Sequence, residues 1–148
     1  MMVQTSIHLL LSKNEKFTPA DMLKVLIAGI EENIRKITRH QYKYMTITFL
    51  NFDESGFFTY AGQHQDLLIY RNATKTVERL ETEGIWIGLG NLAEDKDQLI
   101  QNKTFMMDTK DVLMLYTDGI TEGTYEDGKD FGVEGLIHIL KENGSKSS

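Results

Sequence analysis

The sequence has 148 residues, 41% of them hydrophobic, no cysteine and a net charge of −6. A chain of about 150 residues buries roughly 70% of its unfolded surface, so one domain with a real core is expected and a disordered chain is excluded. The acidic balance argues against nucleic-acid binding through a basic face, the missing cysteines exclude disulfide and thiolate chemistry, and no apolar run approaches the ~20 residues of a membrane span.

The chain opens with an apolar stretch, Met1 to Lys13, that reads as a helix with Val3, Ile7, Leu10 and Leu11 on one face. It lacks the basic lead and the small-residue cleavage site of a signal peptide, so a cytoplasmic location is expected. No capping residue precedes it, which suggests that the true domain begins earlier. Thr18-Pro19-Ala20-Asp21 is a helix start: Thr18 can cap, Pro19 suits the first helical position and Asp21 complements the dipole. Met22, Leu23, Leu26, Ile27, Ile30, Ile34 and Ile37 then recur at threes and fours, one apolar stripe running to about Thr38.

After residue 42 the period changes to two. Met45, Ile47 and Phe49 alternate with Thr46 and Thr48, Asp53-Glu54-Ser55-Gly56 turns the chain, and Phe57 to Tyr60 returns, a hairpin. Leu67 to Tyr70 and Thr76 to Leu80 read as a second pair of strands around Asn72-Ala73-Thr74-Lys75, and Phe105-Met106-Met107 as a short strand. Val112 to Tyr116 is a continuous apolar run, expected as a central strand buried on both faces. Phe131 to Glu142 closes the chain as a helix with Val133, Leu136, Ile137 and Leu140 inward. The order is helical over 1–40, mainly strands over 43–117 and a helix over 131–142. It indicates a single α+β domain with mainly antiparallel sheets.

The residues that bear on chemistry are few. In Leu115-Tyr116-Thr117-Asp118-Gly119 a strand ends in a carboxylate followed by a glycine that would let the chain turn sharply. A carboxylate on a rigid element suits a hard cation such as Mg²⁺ or Mn²⁺, although an Asp-Gly turn that merely ends a strand is the commoner explanation. Glu122, four residues on, would support such a site or be a solvated carboxylate. His64, in Gly62-Gln63-His64-Gln65, has the pKa range of a general acid but lacks a recognisable Ser or Asp partner, and a loop histidine is the plainer account. The glycines of Gly84-Ile85-Trp86-Ile87-Gly88-Leu89-Gly90 fit neither a dinucleotide nor a phosphate loop and read as a tight structural loop around Trp86.

Four stretches, in order, resemble the SpoIIE-like branch of the PPM (type 2C) metal-dependent protein Ser/Thr phosphatases: Thr59-Tyr60-Ala61-Gly62-Gln63-His64, Gly84-Ile85-Trp86-Ile87-Gly88, Leu113 to Glu122 and Phe131-Gly132-Val133-Glu134-Gly135-Leu136. Met1 to Ser6 is similar to the helix that follows the family's second metal motif. The resemblance implies part of an α/β/β/α sandwich with helices on the outer faces. It implies two Mn²⁺ or Mg²⁺ ions bridging a water that attacks phosphorus, and a substrate that is a phosphorylated regulatory protein such as an anti-sigma-factor antagonist. On this resemblance Asp118 is the metal ligand, with Gly119 shaping its turn and Glu122 and His64 in supporting positions. No catalytic residue is identified beyond these. The family's other aspartate motifs would lie before Met1 and after Ser148. At most a partial metal site is therefore expected here, with little or no activity from this chain alone and sheet edges open to self-association. The alternative is a non-catalytic interaction module that keeps the fold without the metals.

Overall fold

A computed structural model describes residues 17–37, 44–87, 96–125 and 128–146. The helix expected over Met1 to Lys13 and the last three residues of the Gly84–Gly90 loop lie outside them. The structure forms two compact units: Met1–His64 with Glu83–Phe105, and Gln65–Thr82 with Met106–Ser148.

The first unit is built on α1 (Pro19–Ile37). Its start is fixed by reciprocal bonds: the Asp21 N–H donates to Thr18 Oγ1 (3.2 Å) and the Thr18 N–H to Asp21 Oδ2 (3.0 Å). This is a capping box with Asp in the place usually held by Glu. The Thr18 hydroxyl and N–H hold the Asp21 carboxyl below its ordinary pKa. Asn102 Oδ1 accepts a further unpaired N–H of the first turn, that of Ala20, at 3.0 Å. Met22, Leu23, Leu26, Ile27 and Ile30 of the expected stripe are buried, and Leu23, Leu26, Ile27 and Ile30 with Ala20 meet Ala61, Ile85, Ile87 and Ile100 in one core.

That core lies on a three-stranded sheet in the order β1 (Ile47–Phe52), β2 (Phe57–Gln63), β5 (Lys103–Met106). β1 and β2 are antiparallel, in register from Ile47↔Gln63 to Phe52↔Phe58. Ile47 and Phe49 pack toward α1. The opposite face carries stacked rings, Phe52 on Phe58 at 5.2 Å and Phe58 on Phe105 at 4.9 Å. The hairpin turn follows the sequence. Asp53 Oδ1 accepts the Ser55 and Phe57 N–H groups at 2.9 and 3.2 Å, and Gly56 supplies φ +81°.

The second unit holds the sheet β4 (Thr76–Leu80), β3 (Leu67–Arg71), β6 (Val112–Met114), with both neighbours antiparallel to β3. α4 (Gly132–Asn143) packs on β3 and β4, and Leu136 and Leu140 join Leu68, Tyr70 and Tyr116 in its core. Two expectations change here. Among the described strands the central one is β3, whose Leu67 to Tyr70 are buried throughout. The apolar run Val112–Tyr116 yields only three strand residues, outermost among the described strands of this sheet and all half-buried, after which Leu115 is 62% exposed and Tyr116 turns in to the core. A short helix, α2 (Lys96–Leu99), lies within the stretch expected to be mainly strands, at positions assigned to none of them. The architecture is thus α+β, with two three-stranded, mainly antiparallel sheets and a helix packed on each.

Candidate functional site

The sequence beyond β6 carries the carboxylate of interest. Tyr116 anchors this segment with 7% exposure against Leu68, Tyr70, Leu136 and Leu140. Thr117 is extended (φ −122°, ψ 163°), and the chain then enters α3 (Asp118–Thr121). The Asp-Gly turn expected here is therefore a helical turn. The N–H of Ile120 donates to Thr117 O (3.1 Å) and that of Glu122 to Asp118 O (2.8 Å). Gly119 lies inside it without the left-handed φ of a sharp turn. A Cβ at Gly119 would meet only Thr117 Oγ1, at an ordinary 3.8 Å. Asp suits this place because an acidic side chain in a first helical turn complements the exposed N–H groups.

On its far side the segment is tied down by a small hairpin. Thr124 bridges Asp130, the Tyr125 N–H donates to Lys129 O (2.8 Å), and the Phe131 N–H donates to Gly123 O (2.7 Å) just before α4. Gly128 turns it with φ +81°. Asp118 is thus held between a buried ring and a clamped loop, while its exposed carboxylate makes no hydrogen bond or ion pair to another described residue. Glu122, at the C-cap of the same turn, is also exposed. His64 belongs to the first unit: it follows β2, is exposed, and its Nδ1 lies 2.8 Å from Thr46 Oγ1. The structure therefore brings Asp118, Gly119 and Glu122 into one helical turn and places His64 on the other unit.

A divalent ion needs several oxygen or nitrogen ligands converging on one point. Among the described residues, no three His, Cys, Asp or Glu side chains converge closely enough to hold a metal ion. The described residues by themselves do not make the metal site that the resemblance implies, and Asp118 alone does not substitute for it.

Local sequence reading missed two features. Gly62 adopts φ +104°, and a Cβ there would overlap the Ile47 carbonyl oxygen. A Cβ at Gly84 would lie 3.1 Å from Gly62 Cα. The glycines of two separate motifs thus pack backbone against backbone in one seam. The second feature is an ion-pair network around Arg71. Its guanidinium reaches Asp111 Oδ2 (2.9 Å), Glu78 Oε2 (2.6 Å) and the carbonyl of Met106 (2.6 Å). The Asp111 side chain, 2% exposed, also accepts the N–H groups of Asn72 (2.8 Å) and Asp108 (3.1 Å). Burial pushes the Asp111 carboxyl up, but the Asn72 N–H, the Arg71 guanidinium and the Asp108 N–H outweigh it and hold the group below the ordinary carboxylate range. A cation closing an otherwise buried strand, as Arg71 closes β3, is the one signal that could have announced this partner.

An α+β domain with these ordered glycine motifs and a carboxylate on a clamped turn is the class of protein defined so far. The chain belongs to the Stage II sporulation protein E (SpoIIE) family, whose pattern it matches over residues 1–148, and so to the SpoIIE-like branch of the PPM phosphatases. Among solved structures it is similar to the RsbU and RsbW domains of Rv1364c from Mycobacterium tuberculosis. The TM-score is 0.65 at 17% identity, over 97% of this chain and 37% of that one, so the likeness is one of fold. The chain spans little more than a third of that solved chain's length. No curated protein matches the sequence.

Proposed function

We propose that this chain is part of a cytoplasmic protein phosphatase domain that removes phosphate from phosphoserine or phosphothreonine on a regulatory protein, such as an anti-sigma-factor antagonist. Membership of the SpoIIE family supports the reaction class. The observation that carries the local assignment is Asp118, an exposed carboxylate with no partner among the described residues, held on a turn fixed from both sides. In this reading Asp118 is one ligand of a Mn²⁺ or Mg²⁺ pair, with Gly119 in its turn and Glu122 in a supporting role. The remaining carboxylates come from outside the described residues, because those described assemble no metal site. What the chain itself supplies is position: Tyr116 and the Gly123–Phe131 clamp keep Asp118 at a fixed place beside α4. No step through the ions follows from these residues.

The test is calorimetric titration of Mn²⁺ into the chain, with Asp118→Asn as control, alongside phosphate release from a phosphoserine peptide. The expected result is no binding that depends on Asp118 and no release above a metal-free control. Tight binding abolished by Asp118→Asn would overturn the incomplete-site part of the proposal.

A further inference from the structure

We infer that Asn143-Gly144 is a deamidation site that the fold holds shut, and that its reaction, once it occurs, permanently frees the end of α4 from the core. The inference does not depend on the phosphatase reading.

An asparagine followed by glycine is the pairing most prone to lose ammonia, because glycine has no Cβ to hinder the approach of its backbone nitrogen. The Gly144 nitrogen attacks the side-chain carbonyl carbon of Asn143. The new C–N bond closes a succinimide ring, and the side-chain nitrogen leaves as ammonia. Solvent water then opens the ring at either carbonyl. One product is an ordinary aspartate. The other is an isoaspartate, in which the Cβ has entered the main chain.

Contacts in the structure oppose each part of the attack. Asn143 is the last residue of α4, and Gly144 continues in helical conformation at φ −57° and ψ −31°. A helical side chain tilts toward the N-terminus, away from the nitrogen that follows it, so the Asn143–Gly144 link must leave the helix before the two atoms meet. The Gly144 N–H donates to Leu140 O, and that bond must break before the nitrogen can react. The amide to be attacked is held at both ends: Nδ2 donates to Ile139 O (2.9 Å), and Oδ1 accepts from Lys146 Nζ (3.1 Å). Gly144 itself is buried, so close to the Tyr70 ring that a Cβ there would overlap it. Tyr70 is 1% exposed and shares its core with Leu140.

The site therefore opens when the last turn of α4 leaves Tyr70, and helix ends are among the parts of a fold that open most readily. After reaction it does not close again. Aspartate at 143 has no N–H for the Ile139 carbonyl, and its charge opposes the negative end of the helix dipole. Isoaspartate lengthens the backbone by one carbon, which carries the Gly144 N–H off Leu140 O. Gly144 has no room against the Tyr70 ring to take up that shift.

Two measurements test this. Peptide mapping by mass spectrometry follows conversion of Asn143 at neutral pH in the folded chain and in a free peptide of residues 139–146. The folded chain should react roughly tenfold or more slowly, because it reacts only through its small open fraction. Hydrogen exchange then compares the unreacted chain with the isoaspartyl product, separated by chromatography. The Gly144 amide should be protected in the first and unprotected in the second, while the amides of Leu68 and Ile69 in β3 keep their protection in both. Conversion at the rate of the free peptide, or an isoaspartyl chain whose Gly144 amide is as protected as before, would overturn the inference. Loss of protection at Leu68 and Ile69 as well would overturn the claim that release is confined to the end of α4.

Discussion

Replacing Asp111 by Asn probes the buried network at its centre. The carboxylate is 2% exposed and accepts the Arg71 guanidinium and the N–H groups of Asn72 and Asp108. An amide can still accept from Asn72 through one oxygen, but its NH₂ then faces two donors, Arg71 and Asp108. Hydrogen bonds to charged groups are worth about 1.5–3 kcal/mol each, and breaking a buried pair costs about 3–5 kcal/mol. Arg71 keeps Glu78 and the Met106 carbonyl, so it is not orphaned, and the loss should sit at the low end, about 3 kcal/mol. For a chain of this size that is a fall in Tm of about 6–12 °C. The pH dependence follows from the lowered folded pKa of Asp111. A depressed carboxyl contributes stability in full above its unfolded value, about 3.9, and loses it as pH falls through the folded value. The gap between wild type and variant should therefore be constant from about pH 7 to pH 5 and close in stronger acid. Urea unfolding followed by circular dichroism at several pH values measures it. A gap under about 1 kcal/mol at neutral pH, or one that persists unchanged to about pH 2, would refute the account.

Two further substitutions follow from the packing. Gly62→Ala should destabilise by about 1–3 kcal/mol from the φ of +104° alone, with displacement of the Ile47 carbonyl adding to it; denaturant midpoints read this directly. Tyr116→Phe removes a buried hydroxyl that has no hydrogen-bond partner among the described residues, so thermal unfolding should show no loss and a gain of up to about 1 kcal/mol. Burial, reinforced by Asp66 and opposed by Arg79, pushes that hydroxyl's pKa up, so a shift of its ultraviolet titration to higher pH checks the same environment.

Elements whose signals are local were legible in the sequence. Thr18-Pro19 and the stripe that begins at Met22 announced α1, because capping and a 3.6-residue period are properties of neighbours in the chain. Asp53 and Gly56 gave the first hairpin for the same reason. Illegible features depend on what lies across a sheet. The apolar run at Val112 reports burial but not which strand is central, and β3 took that place because both β4 and β6 pair with it. Arg71 and Asp111 are 40 residues apart, and the Gly62–Gly84 seam joins the end of β2 to a separate segment of the chain. As for the site, the grouping of Asp118 with Glu122 was readable from their spacing of four, whereas the assignment of His64 to a different unit was not.

The Asp118 carboxylate has no hydrogen-bond or ion-pair partner among the described residues, which makes this position a clean handle. A side chain without such a partner can be exchanged with little disturbance to the described residues around it. Asp118→Cys would introduce the chain's only thiol, since the sequence has no cysteine. A single spin label or fluorophore could then be attached at this spot and would report what approaches α3, with no competing labelling elsewhere.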